Sequence, residues 1–322
     1  MRLKNYFQFY IMKFSLTPFL LLFLFSCSPE DSTLDITATK DASVLGVQPS
    51  IPPFQTSALF YENISYDTKS RTQFDLLLPQ EKPVAGVVVL FHGGSFLFGG
   101  KADFYLDEFN HILSGLLEND IAIVNAEYSF LTEAQSEGVF TPLKDGNQVI
   151  DFITKNYISL GIPKDNLLLA GVSAGAGIAF WNGLGKTRSN SIKGILGLQA
   201  QSSYDLYKWE SLFEDFKVDS LKQVNSELEQ LLEQFYGGAY SQEKAKNLDY
   251  LNEIETSDPP FYVYNPVFED KVYQNEVLNL NVLFHSFKHA DLLRKKATEV
   301  GLPFSGAYQE APQEFIVRIL TQ

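Results

Sequence analysis

An apolar run that turns straight into Gly-x-Ser-x-Gly constrains this chain more than any other feature. Leu167-Leu168-Leu169-Ala170 leads into Gly171-Val172-Ser173-Ala174-Gly175, and Ala176, Gly177 and Ala179 continue with small side chains. A strand with no polar residue is buried on both faces, as in a parallel sheet covered by helices. Small residues after it suit a helix pressed onto that sheet. A serine at such a strand-to-helix turn sits on a strained backbone, and flanking glycines let strand and helix approach closely. The chemistry served by that geometry is attack of a serine oxygen on an acyl carbon.

The pentapeptide alone is short enough to arise by chance, so its surroundings matter. Upstream, Gly86-Val87-Val88-Val89-Leu90-Phe91 reads as a second buried strand and ends in His92-Gly93-Gly94-Ser95, with Gly99 and Gly100 close behind. Glycines there expose backbone N–H groups. Those of Gly93 and Gly94, with that of Ala174, are candidates to hold a developing oxyanion. Strands at 85–91, 121–128, 166–170, 193–199, 261–264 and 304–308 alternate with helices at 107–117, 143–157, 289–300 and 312–320. This rhythm predicts a doubly wound, mostly parallel α/β sheet. Residues 58–66 and 72–78 alternate like antiparallel edge strands.

Residues 203–256 break the rhythm. Leu221, Val224, Leu228, Leu231, Leu232 and Phe235 recur at helical spacing, which predicts a helical insertion. Its aromatics, among them Tyr204, Trp209 and Phe216, either line a pocket or form the insertion's own core.

The two motifs, in this order and each at the end of an apolar strand, resemble those of the α/β-hydrolase esterases of the carboxylesterase and hormone-sensitive-lipase-like type. The similarity runs over roughly residues 57–320. Asn125-Ala126-Glu127-Tyr128, Asp145 and the loop Gly161-Ile162-Pro163-Lys164-Asp165-Asn166 are similar to further landmarks of that family. The resemblance implies an α/β-hydrolase fold, with the insertion as a cap over the site. It implies Ser173 as nucleophile, an acid after the seventh strand and a histidine after the eighth. The implied substrate is a small ester or an acylated saccharide.

The histidine is where the chain departs from that pattern. After Tyr308 it reads Gln309-Glu310-Ala311-Pro312, and no histidine follows His289. The other three are His92 in the oxyanion segment, His111 on the helix after it, and His285. Triads are defined by geometry, so a base can come from elsewhere in the chain. His285 and His289, in and just after a long loop expected at 266–288, are the candidates. Asp270 is the expected acid, with Glu269, Asp291 and Asp205 as alternatives. Should neither histidine reach Ser173, the domain would be a degenerate hydrolase that binds a ligand or partner without turnover. No His/Cys/Asp/Glu cluster has metal-ligand spacing, and no cofactor is implied.

The formal net charge is −14, although residues 1–26 carry Arg2, Lys4 and Lys13 and no acid. The rest is therefore more acidic still, which suits neither nucleic acid nor a strongly anionic surface. Lys13, the apolar stretch 19–25 and Ser26-Cys27 read as a signal peptide, too short to span a bilayer. Leu24-Phe25-Ser26-Cys27 resembles a bacterial lipobox, which implies cleavage before Cys27 and lipidation of this sole cysteine. The expected organisation is a signal peptide at 1–26, a flexible tether at 27–55 and a hydrolase domain at 56–322. The expected location is a bacterial, outer-membrane or surface-exposed, lipid-anchored envelope protein.

Overall fold

The computed structural model describes residues 42–220, 226–274 and 277–322. The signal peptide, Cys27 and most of the expected tether lie outside the described residues, as do Leu221 and Val224.

Eight strands form one sheet: β1 (Leu59–Ser65), β2 (Gln73–Leu78), β3 (Gly86–Phe91), β4 (Ile121–Ala126), β5 (Leu167–Val172), β6 (Ile192–Leu198), β7 (Phe261–Tyr264) and, after a small hairpin of β8 (Tyr273–Gln274) and β9 (Val277–Leu278), β10 (Phe304–Ser305). Their spatial order is β1-β2-β4-β3-β5-β6-β7-β10. Only β2 runs against its neighbours; every other pairing in this sheet is parallel. This is the doubly wound, mostly parallel sheet expected from the alternation of elements.

The apolar runs of β3 and β5 follow from coverage on both faces. Val87, Val89, Leu167 and Leu169 belong to one buried cluster, and Val88, Leu90, Leu168 and Ala170 to the other. The first cluster receives α2 (Phe140–Lys155), α4 (Ala174–Gly183) and α8 (Phe287–Val300); the second receives α1 (Asp107–Glu118) and α9 (Pro312–Leu320). Between these helices lie α3 (Tyr157–Leu160), α5 (Ser226–Phe235), α6 (Gln242–Leu248) and α7 (Leu280–His285). Nine of the ten residues of α4 are buried. A helix enclosed all round needs small and apolar residues on every face, which accounts for Ala174 to Ala179.

Three boundaries differ from expectation. The expected tether extends to residue 55, but Ala42 is fully buried in the core and Ser50 bridges to Phe60. Residues 42–55 therefore pack on the domain and are not free. The last strand is only two residues long, and Tyr308 beyond it is 74% exposed. The segment 266–288 contains the hairpin and α7, capped by Asn279 Oδ1 accepting the N–H of Val282 at 3.2 Å. Within the insertion, Trp209, Phe213, Phe216 and Tyr236 are buried around α5, α6 and two 3₁₀ turns. Trp209 and Phe216 also face the cavity beside Ser173, so they serve the core and the pocket together.

Candidate active site

Ser173 stands between the end of β5 and the start of α4 with φ 53° and ψ −117°. A side chain at positive φ costs on the order of 1–3 kcal/mol, which the surroundings must hold. Ser173 N–H donates to the Leu198 carbonyl at 2.8 Å, and its own carbonyl accepts from Gly177 N–H at 3.2 Å. The spacing of the motif is then a matter of clearance. A Cβ on Gly175 would sit 2.0 Å from the carbonyl oxygen of Phe91. No side chain fits there.

The oxyanion segment lies against this turn. A Cβ on Gly93 would lie 3.6 Å from Ser173 Cβ, and Gly94 has φ +111°. Among the described residues, no protein acceptor takes the N–H of Gly93 or Gly94. Ala174 opens α4, so its N–H is free of the helix and points from the positive end of the helix dipole. The donors are therefore unclaimed and adjacent to the serine. His92 anchors the segment: its Nδ1 lies 2.7 Å from the Gly93 carbonyl and Nε2 3.4 Å from Glu127 Oε2. Tyr128 stacks on it at 4.2 Å and donates to the His92 carbonyl at 2.8 Å. Asp145 is buried, accepts Ser129 N–H at 2.8 Å and pairs with Lys69.

The structure separates the two candidate bases. His285 Nε2 lies 2.9 Å from Ser173 Oγ. Its other nitrogen, Nδ1, lies 2.9 Å from Oδ1 of Asn281, one helical turn earlier on α7. Burial pushes the His285 imidazole below its ordinary value, so it stays neutral and able to accept a proton. His289 is fully buried and turned elsewhere. Its Nδ1 accepts the Ser202 N–H at 3.2 Å, and its Nε2 donates to the Leu283 carbonyl at 2.8 Å. With both nitrogens used, it holds α7 and α8 against the strand-end loop at 199–203. His111 is exposed on α1.

Asp270 does not join the histidine. Its side chain is 61% exposed and its nearest cation is Lys288 at 3.9 Å. Asp205 caps a 3₁₀ turn by accepting Tyr207 N–H at 3.2 Å, and Asp291 pairs with Arg294. The partner of His285 is an amide, Asn281, which a search for carboxylates passes over. The signal lay in the spacing: Asn281 and His285 are four apart in a short amphipathic run after a capping Asn279.

Two cavities meet at Ser173. One, of about 300 Å³, is walled by apolar side chains including Phe96, Phe216, Leu232, Phe235 and Leu283. The other, of about 350 Å³, is more open and is bordered by Asp103, Gln199 and His285.

The BD-FAE family model matches residues 74–278, well over half of the chain. The protein belongs to this family, an α/β-hydrolase family of esterase type. The matched span takes in the oxyanion segment and the serine turn and ends before α7. Among solved structures, the fold is similar to a truncated carbohydrate esterase from gut microbiota, with TM-score 0.58 and 13% identity over 85% of this chain and 99% of that one. It is also similar to the esterase Est2 of the planctomycete Thermogutta terrifontis, with TM-score 0.52 and 15% identity over 76% and 79%. The form of that enzyme phosphonylated by sarin gives TM-score 0.55 and 15% identity over 80% and 85%. At such identities the likeness is one of fold. No curated protein matches the chain.

Proposed function

We propose that this protein is a serine hydrolase of carboxylic esters, working through an acyl-enzyme on Ser173. The observation that carries the reading is the 2.9 Å approach of His285 Nε2 to Ser173 Oγ, beside N–H donors that no described residue uses. Ser173 Oγ attacks the ester carbonyl carbon while its proton passes to His285 Nε2. The carbonyl oxygen becomes an oxyanion held by the N–H groups of Gly93, Gly94 and Ala174. As the tetrahedral species collapses, the C–O bond to the alcohol breaks and His285 returns the proton to the leaving oxygen. Water, deprotonated by His285, then attacks the acyl carbon; the C–O bond to Ser173 breaks, His285 returns the proton to Oγ, and the acid is released.

The two cavities suit the two halves of such a substrate. A small apolar acyl group fits the walled cavity, which lies at the lower end of ligand-pocket volumes. Two of its polar groups are already committed: Tyr204 Oη donates to the Ala174 carbonyl at 3.1 Å, and Trp209 Nε1 to the Ser203 carbonyl at 2.9 Å. The more open cleft, with Asp103 and Gln199 on its border, leaves room for a bulkier alcohol, such as a saccharide hydroxyl. A structural neighbour that is a carbohydrate esterase, and another that is phosphonylated by sarin, support this reading.

A fluorophosphonate probe tests it on purified wild type, Ser173→Ala, His285→Ala and His289→Ala. Labelling of wild type, lost in the serine variant and strongly slowed in His285→Ala, is expected. An unlabelled wild type would overturn the reading in favour of a domain that binds without turnover. The N-terminal features support a second proposal, that Cys27 carries a lipid anchoring the domain to a bacterial, outer-membrane envelope surface. Mass spectrometry of the membrane-extracted protein should show a diacylglyceryl-modified Cys27. A free thiol there would count against it.

A further inference from the structure

We propose that Asn281, an uncharged amide, is the residue that positions the base, so that the site works as Ser173–His285–Asn281. The proposal rests on the serine-hydrolase reading above. Residues four apart on a helix share a face, and α7 therefore carries the base and its orienting partner as one unit. With Nδ1–H donated to Asn281 Oδ1 at 2.9 Å, the lone pair is left on Nε2, the atom that faces Ser173. That is the tautomer a general base needs.

None of the carboxylates that could have filled this place does so. Glu269 is exposed, and among the described residues only its backbone carbonyl is bonded, to the Ser286 hydroxyl at 2.9 Å. Asp205 caps a turn, Asp291 pairs with Arg294, and Asp270 stands exposed near Lys288. The titratable neighbours of His285 are Asp103 and His92 on the rim of the open cleft, and buried His289, with which it interacts electrostatically. None accepts its Nδ1–H. When Ser173 gives up its proton, the bond to Oγ breaks and a new N–H forms on Nε2. The resulting imidazolium keeps its Nδ1–H on the amide, and no proton reaches Asn281. An amide fixes the ring without a charge to favour the imidazolium. Burial, which lowers the pKa of His285, is thus left unopposed.

The test is the pH profile of kcat/KM on p-nitrophenyl butyrate for wild type, Asn281→Ala and Asn281→Asp. In the wild type the acid limb should fall below the ordinary imidazole value of about 6.5. Asn281→Asp should keep the activity and move that limb up by about one pH unit, as a neighbouring carboxylate favours the charged ring. Asn281→Ala should lower kcat about 10- to 100-fold with KM within about twofold. Its thermal midpoint should hardly change, since Asn281 is exposed. An Asn281→Ala rate within twofold of wild type, or an Asn281→Asp limb that does not move, would overturn the proposal. Fluorophosphonate labelling keeps the two failures apart. If Ser173 labels while either result is seen, only the role of Asn281 falls; if Ser173 does not label, the hydrolase reading itself falls.

Discussion

Residues 167–183 and residues 265–290 meet at one 2.9 Å contact but hold their side chains by different means. The serine region is fixed by backbone clearance: β5 is buried on both faces, α4 is enclosed, and Gly175 passes where a Cβ would strike the Phe91 carbonyl. The base region is fixed by side chains. Asn265 accepts Ala200 N–H at 2.9 Å and donates to the Ser286 carbonyl at 3.0 Å, His289 bonds Ser202 and Leu283, and Asn281 holds His285. Backbone clearance permits few sequences, whereas a hydrogen-bonded arm can be rebuilt from other residues. That difference explains how the histidine can leave the place after the last strand while the serine turn stays as it is.

The largest expected effect falls on both regions alike. Ser173→Ala and His285→Ala should each cut kcat by at least about 10³-fold, because members of such a unit fail together. The double variant should be little worse than either single one. Losses that multiply would show that His285 and Ser173 do not act as a pair. Stability should divide the regions next. Gly175→Ala is expected to cost about 3 kcal/mol or more, since neither backbone can yield. His285→Ala, at a half-buried position, should change it by less than about 1 kcal/mol. Urea unfolding measures both, and a tolerated alanine at 175 would break the comparison.

The same contrast decides what could be read from the sequence. Gly171 to Gly177 and His92-Gly93-Gly94 announce themselves because the turns they make admit so few residues. The sheet was equally legible, since β3 and β5 must be apolar throughout. The base region left a weaker trace. Its helix α7 has only six residues, too few for a periodic pattern to stand out. Its key partner is an asparagine, an ordinary residue on an exposed helix face. His285 and His289 looked equivalent as letters four positions apart. Only packing shows that Ser286 interrupts the helix between them, so that His285 ends α7 facing Ser173 while His289 lies buried in the first turn of α8. The insertion was visible as a helical stretch, but its share of the pocket depends on which side of α5 faces Ser173.

His289 offers a smaller and pH-dependent way to sharpen the comparison. Burial pushes its imidazole down to about 4, against 6.5 for the free side chain. As pH falls, the unfolded chain therefore takes up this proton before the folded one does. The stability tied to neutral His289 is fully present above pH 6.5 and is lost as pH falls from there to 4, by roughly 3 kcal/mol. The unfolding free energy of wild type should drop more between pH 7 and pH 4.5 than that of His289→Gln. Equal drops would mean that His289 is not held neutral and that the base region lacks this anchor.

The smallest effect is expected at Asp270, the carboxylate that follows the seventh strand as the family pattern would have it. Its side chain is 61% exposed and its nearest cation, Lys288, is 3.9 Å away. An exposed pair at that distance contributes at most about 1 kcal/mol, and a group screened by water has little influence on a ring it does not touch. Asp270→Asn should leave kcat/KM on p-nitrophenyl butyrate within about twofold and the acid limb of its pH profile in place. Were Asp270 instead to reach His285 during turnover, its amide variant would lose a factor of 10² or more, as a wrongly oriented base does. The two outcomes are far enough apart that one steady-state measurement decides between an acid supplied by the segment after β7 and an amide supplied by α7.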